Sequence, residues 1–415
     1  MKTHPLLWSS IAKIDGLRFQ TNGKGMSEEL STASALSEMM ERISGGMETS
    51  INLVSPFRQL EGEKAKLLSD VMAYKYVKGY KWMHQDCVKN VVKVEHFLHR
   101  YKFEKEVIEK LKIESKLLRH WIPGYSLVNN ENVYVPITFV KWISSTNGLA
   151  SGNTIEEAII HGACEIFERN ALIHFLKFGI KDEYPTLDNN TINNEYICEI
   201  LAFFEENGVQ VVIKDIGMGL YPVFAIMTFN KNLNEGEIGY NTIKAGSSFN
   251  SDEAILRALT ERMQGTSLSY ESRLGTRPTG TPTTGFMPLF FKGICPISLS
   301  EYRHGKLEAY RKMELNGTKE EINECINIVK NLGLDLIVIN HTHPVLNFPT
   351  VRVIIPGISD FMSWWDSKIE TDIKLIGNLE PEEDAYEEKL ATILKSFKPS
   401  SIIGSAAKNS SRRDK

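Results

Sequence analysis

Three stretches of this chain repeat one acidic pattern on what reads as a helix. The first is Ser34-x3-Glu38-x2-Glu41-Arg42, in SALSEMMER. The second is His161-x3-Glu165-x2-Glu168-Arg169, in HGACEIFER, and the third is Arg257-x3-Glu261-Arg262-x-Gln264, in RALTERMQ. In each, two polar groups stand three residues apart and are neighbours on one helical face. The residue four positions earlier shares that face. Glu38 and Glu41 interleave with Leu36, Met39, Met40 and Ile43, and Glu165 and Glu168 with Ala163, Cys164, Ile166 and Phe167. A helix that is apolar on more than one side does not leave its glutamates on a fully wet face. Partly buried carboxylates at this spacing repel one another unless a cation joins them. The pattern therefore asks for a fold in which several acidic helix faces turn toward one shared cleft.

A hard, oxygen-seeking cation suits these donors, and Mg2+ is the natural one. Two or three such helices facing one cleft would hold Mg2+ together with a nucleoside triphosphate. Arg42 and Arg169 would then face phosphate or hold the carboxylates in place. Each helix follows a loop of small residues, which suits close phosphate approach: TNGKGMS (21–27), NGLASGNTIEEA (147–158) and KAGSSFNSDEA (244–254). The first reads as a Gly-Lys-Gly turn and does not match the Walker pattern. Its Lys24 either reaches a phosphate or is a plain surface lysine. In the second, Thr154 is the expected N-cap with Glu157 at the third helical position; Asn153 and Glu157 are also candidates to touch nucleotide in addition to that role. In the third, Asn250 or Ser251 is the expected cap.

The rest of the chain alternates short β-like runs with helical runs, which predicts an α/β fold. Strands are expected at 133–140, 209–216, 222–229, 334–340 and 350–356, and helices at 27–43, 154–172, 251–271, 318–331 and 380–397. One catalytic domain is expected over 1–400, with internal pseudo-repeats of strands and acidic helices around one nucleotide cleft. A charged, mostly helical insertion is expected at about 60–118, and a polar tail over 401–415. The Gly/Thr/Pro-rich stretch 274–287 reads as a long loop. With 42% apolar and 24% charged residues, a sizeable core is available. The net charge of −4 offers no basic footprint for nucleic acid. No apolar run is long enough to span a bilayer, and the N-terminal apolar stretch is too short for a signal peptide. Five scattered cysteines form no Cys-x-x-Cys pair, which fits a reducing cytoplasm and gives no zinc signal.

Taken together and in order, these segments resemble the signature segments of the YcaO superfamily. The segments are TNGKGMSEELSTASALSEMMERIS, NGLASGNTIEEAIIHGACEIFERNA and SSFNSDEAILRALTERMQ. PTVRVIIPG (349–357) is similar to that family's late Pro-x-x-Arg-x-x-x-Pro-Gly strand, and VYVPITFV to its middle strand. The resemblance implies ATP- and Mg2+-dependent activation of a peptide backbone amide, whose oxygen takes the γ-phosphoryl group. A neighbouring Cys, Ser or Thr as nucleophile would give an azoline; external sulfide would give a thioamide. By position, Ser34, Arg42, Asn153, Glu157, Arg169 and Gln264 match nucleotide contacts, and Lys24 joins them as a candidate. Glu38, Glu41, Glu165, Glu168 and Glu261 match metal positions, with Glu38, Glu165 and Arg273 in catalytic roles. Ala150 stands where the family has a serine.

Azoline-forming members end in a Pro-x-Pro-x-Pro tail, whereas Pro399 is the last proline here. The expectation is therefore a stand-alone, thioamide-forming enzyme of the type that makes thioglycine in methyl-coenzyme M reductase. A TfuA-like sulfide-delivery partner and a homodimer go with that type. The alternatives are an azoline-forming cyclodehydratase, support of methylthiolation, or a nucleotide-binding module without chemistry. His341 and His343 read as ordinary loop groups, with no third ligand nearby, and Cys164 as a buried small hydrophobe.

Overall fold

Residues 20–25, read from sequence as part of a turn, form a strand. In the computed structural model, Gln20–Gly25 is β3, and Thr21 and Gly23 point to its buried side. A Cβ on Gly23 would stand 2.0 Å from the carbonyl oxygen of Ser31, and one on Gly25 would stand 2.6 Å from the Ser31 nitrogen. The two glycines thus let the first acidic helix, α1 (Glu28–Ser44), lie directly on the strand. Ser27 caps that helix by accepting from the Leu30 N–H, and Thr21 Oγ1 donates to the Ala35 carbonyl at 2.6 Å. β3 closes a three-stranded antiparallel sheet with β1 (Lys2–His4) and β2 (Leu7–Lys13).

The structure describes residues 2–4, 6–14, 20–45, 81–82, 88–97, 118, 120–175, 184–217, 219–234, 237, 239–264, 302, 305–315 and 317–359. All lie in one unit formed by Met1–Lys102 and Lys116–Trp364. The expected helix 380–397, the loop 274–287, the tail and most of the 60–118 insertion fall outside them. Within that insertion are β4 (Lys81–Trp82) and the short helix α2 (Val94–Phe97).

Two larger sheets complete the described architecture. One runs β4–β5–β13–β14–β7, with β6 on β5; these are β5 (His120–Ser126), β6 (Glu131–Pro136), β7 (Leu149–Ser151), β13 (Ile337–Asn340) and β14 (Thr350–Ile354). The other runs β11–β10–β9–β8–β12, built from β8 (Thr186–Asp188), β9 (Val209–Asp215), β10 (Val223–Asn230), β11 (Asn241–Ser247) and β12 (Leu307–Ala309). Among the described pairings only β8–β12 is parallel. The α/β class therefore holds, with antiparallel sheets.

Two expectations need correcting. The run 133–140 is not one strand: β6 ends at Pro136, and α3 (Ile137–Ser144) follows. Proline has no N–H with which to extend a ladder, and a short apolar run does not by its spacing reveal whether it is strand or buried helix. Leu36, counted among the apolar neighbours of Glu38, is exposed. The helix α5 (Glu195–Glu206) was not anticipated; Asn194 caps it, and Ile197, Ile200 and Phe204 form its buried stripe.

β10 divides the core. Its residues alternate between two apolar clusters: Ala225, Met227 and Phe229 on one side, Phe224 and Ile226 on the other. The second acidic helix, α4 (Ile155–His174), packs on the first side and also against Val351 and Val353 of β14, so it lies between two sheets. This is why its sequence is apolar on more than one side. The third, α6 (Ser251–Arg262), packs with α5 on the opposite face of β10. It ends earlier than expected, with Met263 as its C-cap. The helix α7 (Thr318–Asn331) spans the expected residues and packs on α4. Among the described residues no helix is long and apolar enough to cross a membrane.

Candidate active site

The three acidic helices and the strands that precede them make a closed ring of contacts. α1 touches β7, β7 touches α4, α4 touches β11, β11 touches α6, α6 touches β3, and β3 touches α1. Each helix starts within a few residues of the end of its strand. Asn250 caps α6 by accepting from the Asp252 and Glu253 N–H groups, and Thr154 caps α4 by accepting from Glu157 N–H at 3.1 Å.

The expected glutamates come together as a charge cluster. Arg42 Nη2 donates to Glu38 at 3.1 Å, and its Nη1 stands 3.5 Å from Glu41. Arg169 donates to Glu165 through Nε at 3.1 Å and Nη2 at 2.8 Å. The other Glu165 oxygen accepts from the Gly148 N–H at 2.9 Å. Gly148 holds φ at 77°, a left-handed conformation that glycine adopts at little cost. Lys24 Nζ donates to one Glu261 oxygen, and Lys244 Nζ lies 3.7 Å from the other. Ser34 Oγ accepts from the Lys24 N–H at 3.4 Å, and Gln264 donates to the Asn22 carbonyl at 2.9 Å.

These groups are half-buried, and lost hydration dominates their electrostatics. It pushes Glu41 up to about 8, with Arg42 opposing and Glu165 and Glu38 adding. It also raises Glu168, against the pull of Arg169 and Lys24. Lys24 is pushed down to about 8 by the same loss, with Glu168 opposing and Arg257 adding. Lys244 falls to about 8, again through lost hydration first, with Lys24 adding. The cross-influences show that carboxylates of α1 and α4 share one electrostatic neighbourhood with lysines of β3 and β11.

Asn153 and Glu157 lie further toward the start of α4. Glu157 Oε2 accepts from both the backbone and side-chain nitrogens of Asn153, each at 2.9 Å. Glu157 borders a cavity of about 330 Å³ whose walls include His161, Cys164, Ser248, Glu253 and Arg257. Along α4, Glu157 and Glu168 are about 16 Å apart at 1.5 Å per residue. Arg273 lies outside the described residues.

Three contributors were not assigned from sequence. Arg257 donates to Glu253 at 2.7 Å and stands 3.4 Å from His161 Nε2; its place four residues before Glu261 was the available signal. Arg352, in the quoted PTVRVIIPG stretch, is fully buried on β14 and donates to the Ser145 carbonyl at 2.9 Å. Lost hydration lowers it to about 10, although Glu165 and Glu41 pull the other way. Lys244 sits on β11 at the head of the quoted KAGSSFNSDEA stretch, which was read only for its small residues and its cap. His343 behaves as a loop group, its Nδ1 accepting from the N–H groups of Val345 and Leu346. Cys164 is buried, and its thiol is pushed up to about 12 by lost hydration.

One family profile, described as YcaO cyclodehydratase with ATP and Mg2+ binding, matches residues 22–359. The chain belongs to the YcaO family. YcaO proteins are ATP-dependent peptide-modifying enzymes, with ATP and Mg2+ as ligands of the matched domain. Among curated relatives, the Escherichia coli ribosomal protein S12 methylthiotransferase accessory factor YcaO is 24% identical over 361 residues, 82% of this chain. An uncharacterized Rhizobium leguminosarum protein, described as lying in the tfuA 3′ region, is 24% identical over 57% of this chain. The matches span 57% and 60% of those two proteins' own lengths. Among solved structures, a heterocyclase in complex with substrate and cofactor matches 86% of this chain and 48% of its own, at 20% identity and a TM-score of 0.57. YcaO from Methanopyrus kandleri, bound with AMPPCP and Mg2+, matches 83% of this chain and 80% of its own, at 22% identity and a TM-score of 0.53. These structures share the fold.

The residues of this YcaO chain fit the family's ligands in kind. Carboxylates from three helices offer the oxygen donors that Mg2+ takes, and lost hydration holds Glu41 and Glu168 above the ordinary carboxylate value even with Arg42, Arg169 and Lys24 beside them. Their present arrangement differs from a formed metal site. Among the described residues no three His, Cys, Asp or Glu side chains are placed to hold one ion. The carboxylates are drawn instead onto Arg42, Arg169, Lys24 and Lys244.

Proposed function

We propose that this protein converts a peptide backbone amide to a thioamide, using ATP and external sulfide. Sulfide adds to the amide carbon, the amide oxygen takes the γ-phosphoryl group, and phosphate leaves with that oxygen, so that C=O becomes C=S and ADP remains. In this reading Glu38, Glu41, Glu165, Glu168 and Glu261 hold Mg2+, which neutralises phosphate charge when bound. Lys24, Ser34, Arg42 and Arg169 face the phosphates; Gln264 fixes the edge of the cleft through Asn22; Asn153 and Glu157 face the nucleoside end. Such a reaction needs positioning and charge neutralisation rather than a covalent protein nucleophile.

The convergence of carboxylates from three helices supports phosphoryl transfer. One observation favours the sulfur branch: the Rhizobium relative is described by its place beside tfuA. A TfuA-like partner that delivers sulfide, a homodimer and a cytoplasmic setting complete this proposal. The second reading is azoline formation, favoured by the description of the family as cyclodehydratases. Mass spectrometry of the peptide product separates the two reaction classes: a gain of about 16 Da marks a thioamide, and a loss of about 18 Da an azoline. Loss of water would overturn the proposal.

The buried thiol of Cys164 is a poor sulfur carrier, because the thiolate is the reactive form. Cys325 is also buried, with its thiol held well above its ordinary value by lost hydration. Replacing Cys164, Cys198 and Cys325 by serine or alanine one at a time is expected to leave sulfide-dependent turnover within about twofold, as for sites outside the chemistry. A single replacement that abolished turnover while the protein stayed folded would place the sulfur on the chain.

A further inference from the structure

Two lysines from different sheets converge on one carboxylate. Lys24 reaches Glu261 from β3, and Lys244 reaches it from β11. Both side chains are mostly covered, at 30% and 20% exposure. They lie close enough to each other that Lys24 disfavours the charged form of Lys244. Around them the cage already contains its own cations: Arg42 is clamped on Glu38, and Arg169 on Glu165. Named group by group, Glu38, Glu41, Glu165, Glu168 and Glu261 share the cage with Lys24, Lys244, Arg42, Arg169 and Arg352, and Arg257 and Arg262 border it. Each of the five carboxylates already has a cation of the chain beside it.

A cage balanced in this way is poorly disposed toward either ligand alone. A divalent cation added by itself must displace an ammonium from Glu261 and leave that ammonium half-buried without its partner, which is costly. A polyphosphate added by itself meets cations that are already committed to carboxylates. Added together, each ligand releases the partner that the other needs: the metal takes the carboxylate, and the lysines turn to phosphate oxygens. This is a coupling free energy between two ligands and is reciprocal by necessity.

We propose that Lys24 and Lys244 are exchange cations that make Mg2+ binding conditional on nucleotide, holding Glu261 in the free protein and passing to phosphate when the metal takes that carboxylate. The proposal rests on the assignment of Glu261 to the metal.

The test uses the full chain and binding alone. Mg2+ is titrated calorimetrically into nucleotide-free protein, wild type and the variants Lys24→Met and Lys244→Met. Each variant is expected to bind Mg2+ about 10-fold more tightly than wild type, the middle of the range for such couplings. Lys24→Arg, which keeps the charge, is expected to match wild type, and so is Lys13→Met at the exposed end of β2. Unchanged or weaker Mg2+ binding in both methionine variants overturns the exchange. A second measurement does not depend on those variants folding. With a chelator present, Glu261→Gln is expected to bind a non-hydrolysable ATP analogue about 10-fold more tightly than wild type, because both lysines are released to the phosphates; no gain overturns the proposal. If wild type binds the analogue with Mg2+ while the lysine variants leave metal affinity unmoved, the exchange fails and the nucleotide reading stands. If wild type binds no analogue with Mg2+ present, both fall.

Discussion

Glu165→Gln is expected to lower peptide-modifying turnover about 10³-fold, equivalent to roughly 4 kcal/mol of transition-state stabilisation. The structural cost is small by comparison. Glu165 accepts from Gly148 N–H through one oxygen and pairs with Arg169 through the other. A glutamine keeps a carbonyl oxygen for one of those donors and turns its NH2 toward the other, so it loses the charge and one acceptor, at 25% side-chain exposure. That loss is worth about 1 kcal/mol. Thermal unfolding of the metal-free variant should therefore shift by only about 3 °C, while ATP-dependent modification of the peptide falls to near background. Glu38→Gln should behave alike, since its carboxylate meets Arg42 in the same i, i+4 geometry. A Glu165→Gln protein with activity within threefold of wild type would remove this carboxylate from the metal site.

The second large effect is on stability and reverses sign with ligand. Glu41 has its folded value raised to about 8, mainly by lost hydration, against an ordinary 4.5. A raised folded value means stability that is present in full below 4.5 and is lost as pH climbs through about 8. Glutamine cannot ionise and avoids that loss. Metal-free Glu41→Gln should thus exceed wild type by about 2 kcal/mol at pH 8, and by only a few tenths of a kcal/mol at pH 5. Urea unfolding at the two pH values in the presence of a chelator reads this directly. With Mg2+ and a non-hydrolysable ATP analogue, the proposed role of Glu41 as a metal ligand predicts that the order inverts, because the variant would forfeit that ligand and the stabilisation that binding brings. A pH-independent difference, or a variant less stable than wild type at pH 8 without metal, would show that Glu41 is not held in a dehydrated pocket.

Both expectations depend on features of unequal legibility. The acidic helices were legible because helical periodicity is local: three-residue spacing fixes which side chains share a face, whatever the fold. The cap Thr154, and Asn250 as one of two candidates, were legible for a similar reason, since a cap satisfies donors two or three residues away. The strand at 20–25 was not, because its glycines are explained only by the helix lying on them. Local propensity reads them as a turn. The break at Pro136 was misread because an apolar run of eight residues carries no period that separates strand from buried helix.

The sequence by itself determined the chemistry on offer: five carboxylates on three helices, arginines one turn beyond or beside them, and small residues at each helix start. These are properties of residue type and near-neighbour spacing. Only the tertiary structure decided which cations those carboxylates meet. Lys24 and Lys244 are 220 residues apart along the chain and flank one carboxylate because β3 and β11 both border α6. Arg352 enters the cage from a strand that closes its back wall. Charge balance in a partly dehydrated cleft is set by groups brought in from all sides, and no local pattern encodes that sum.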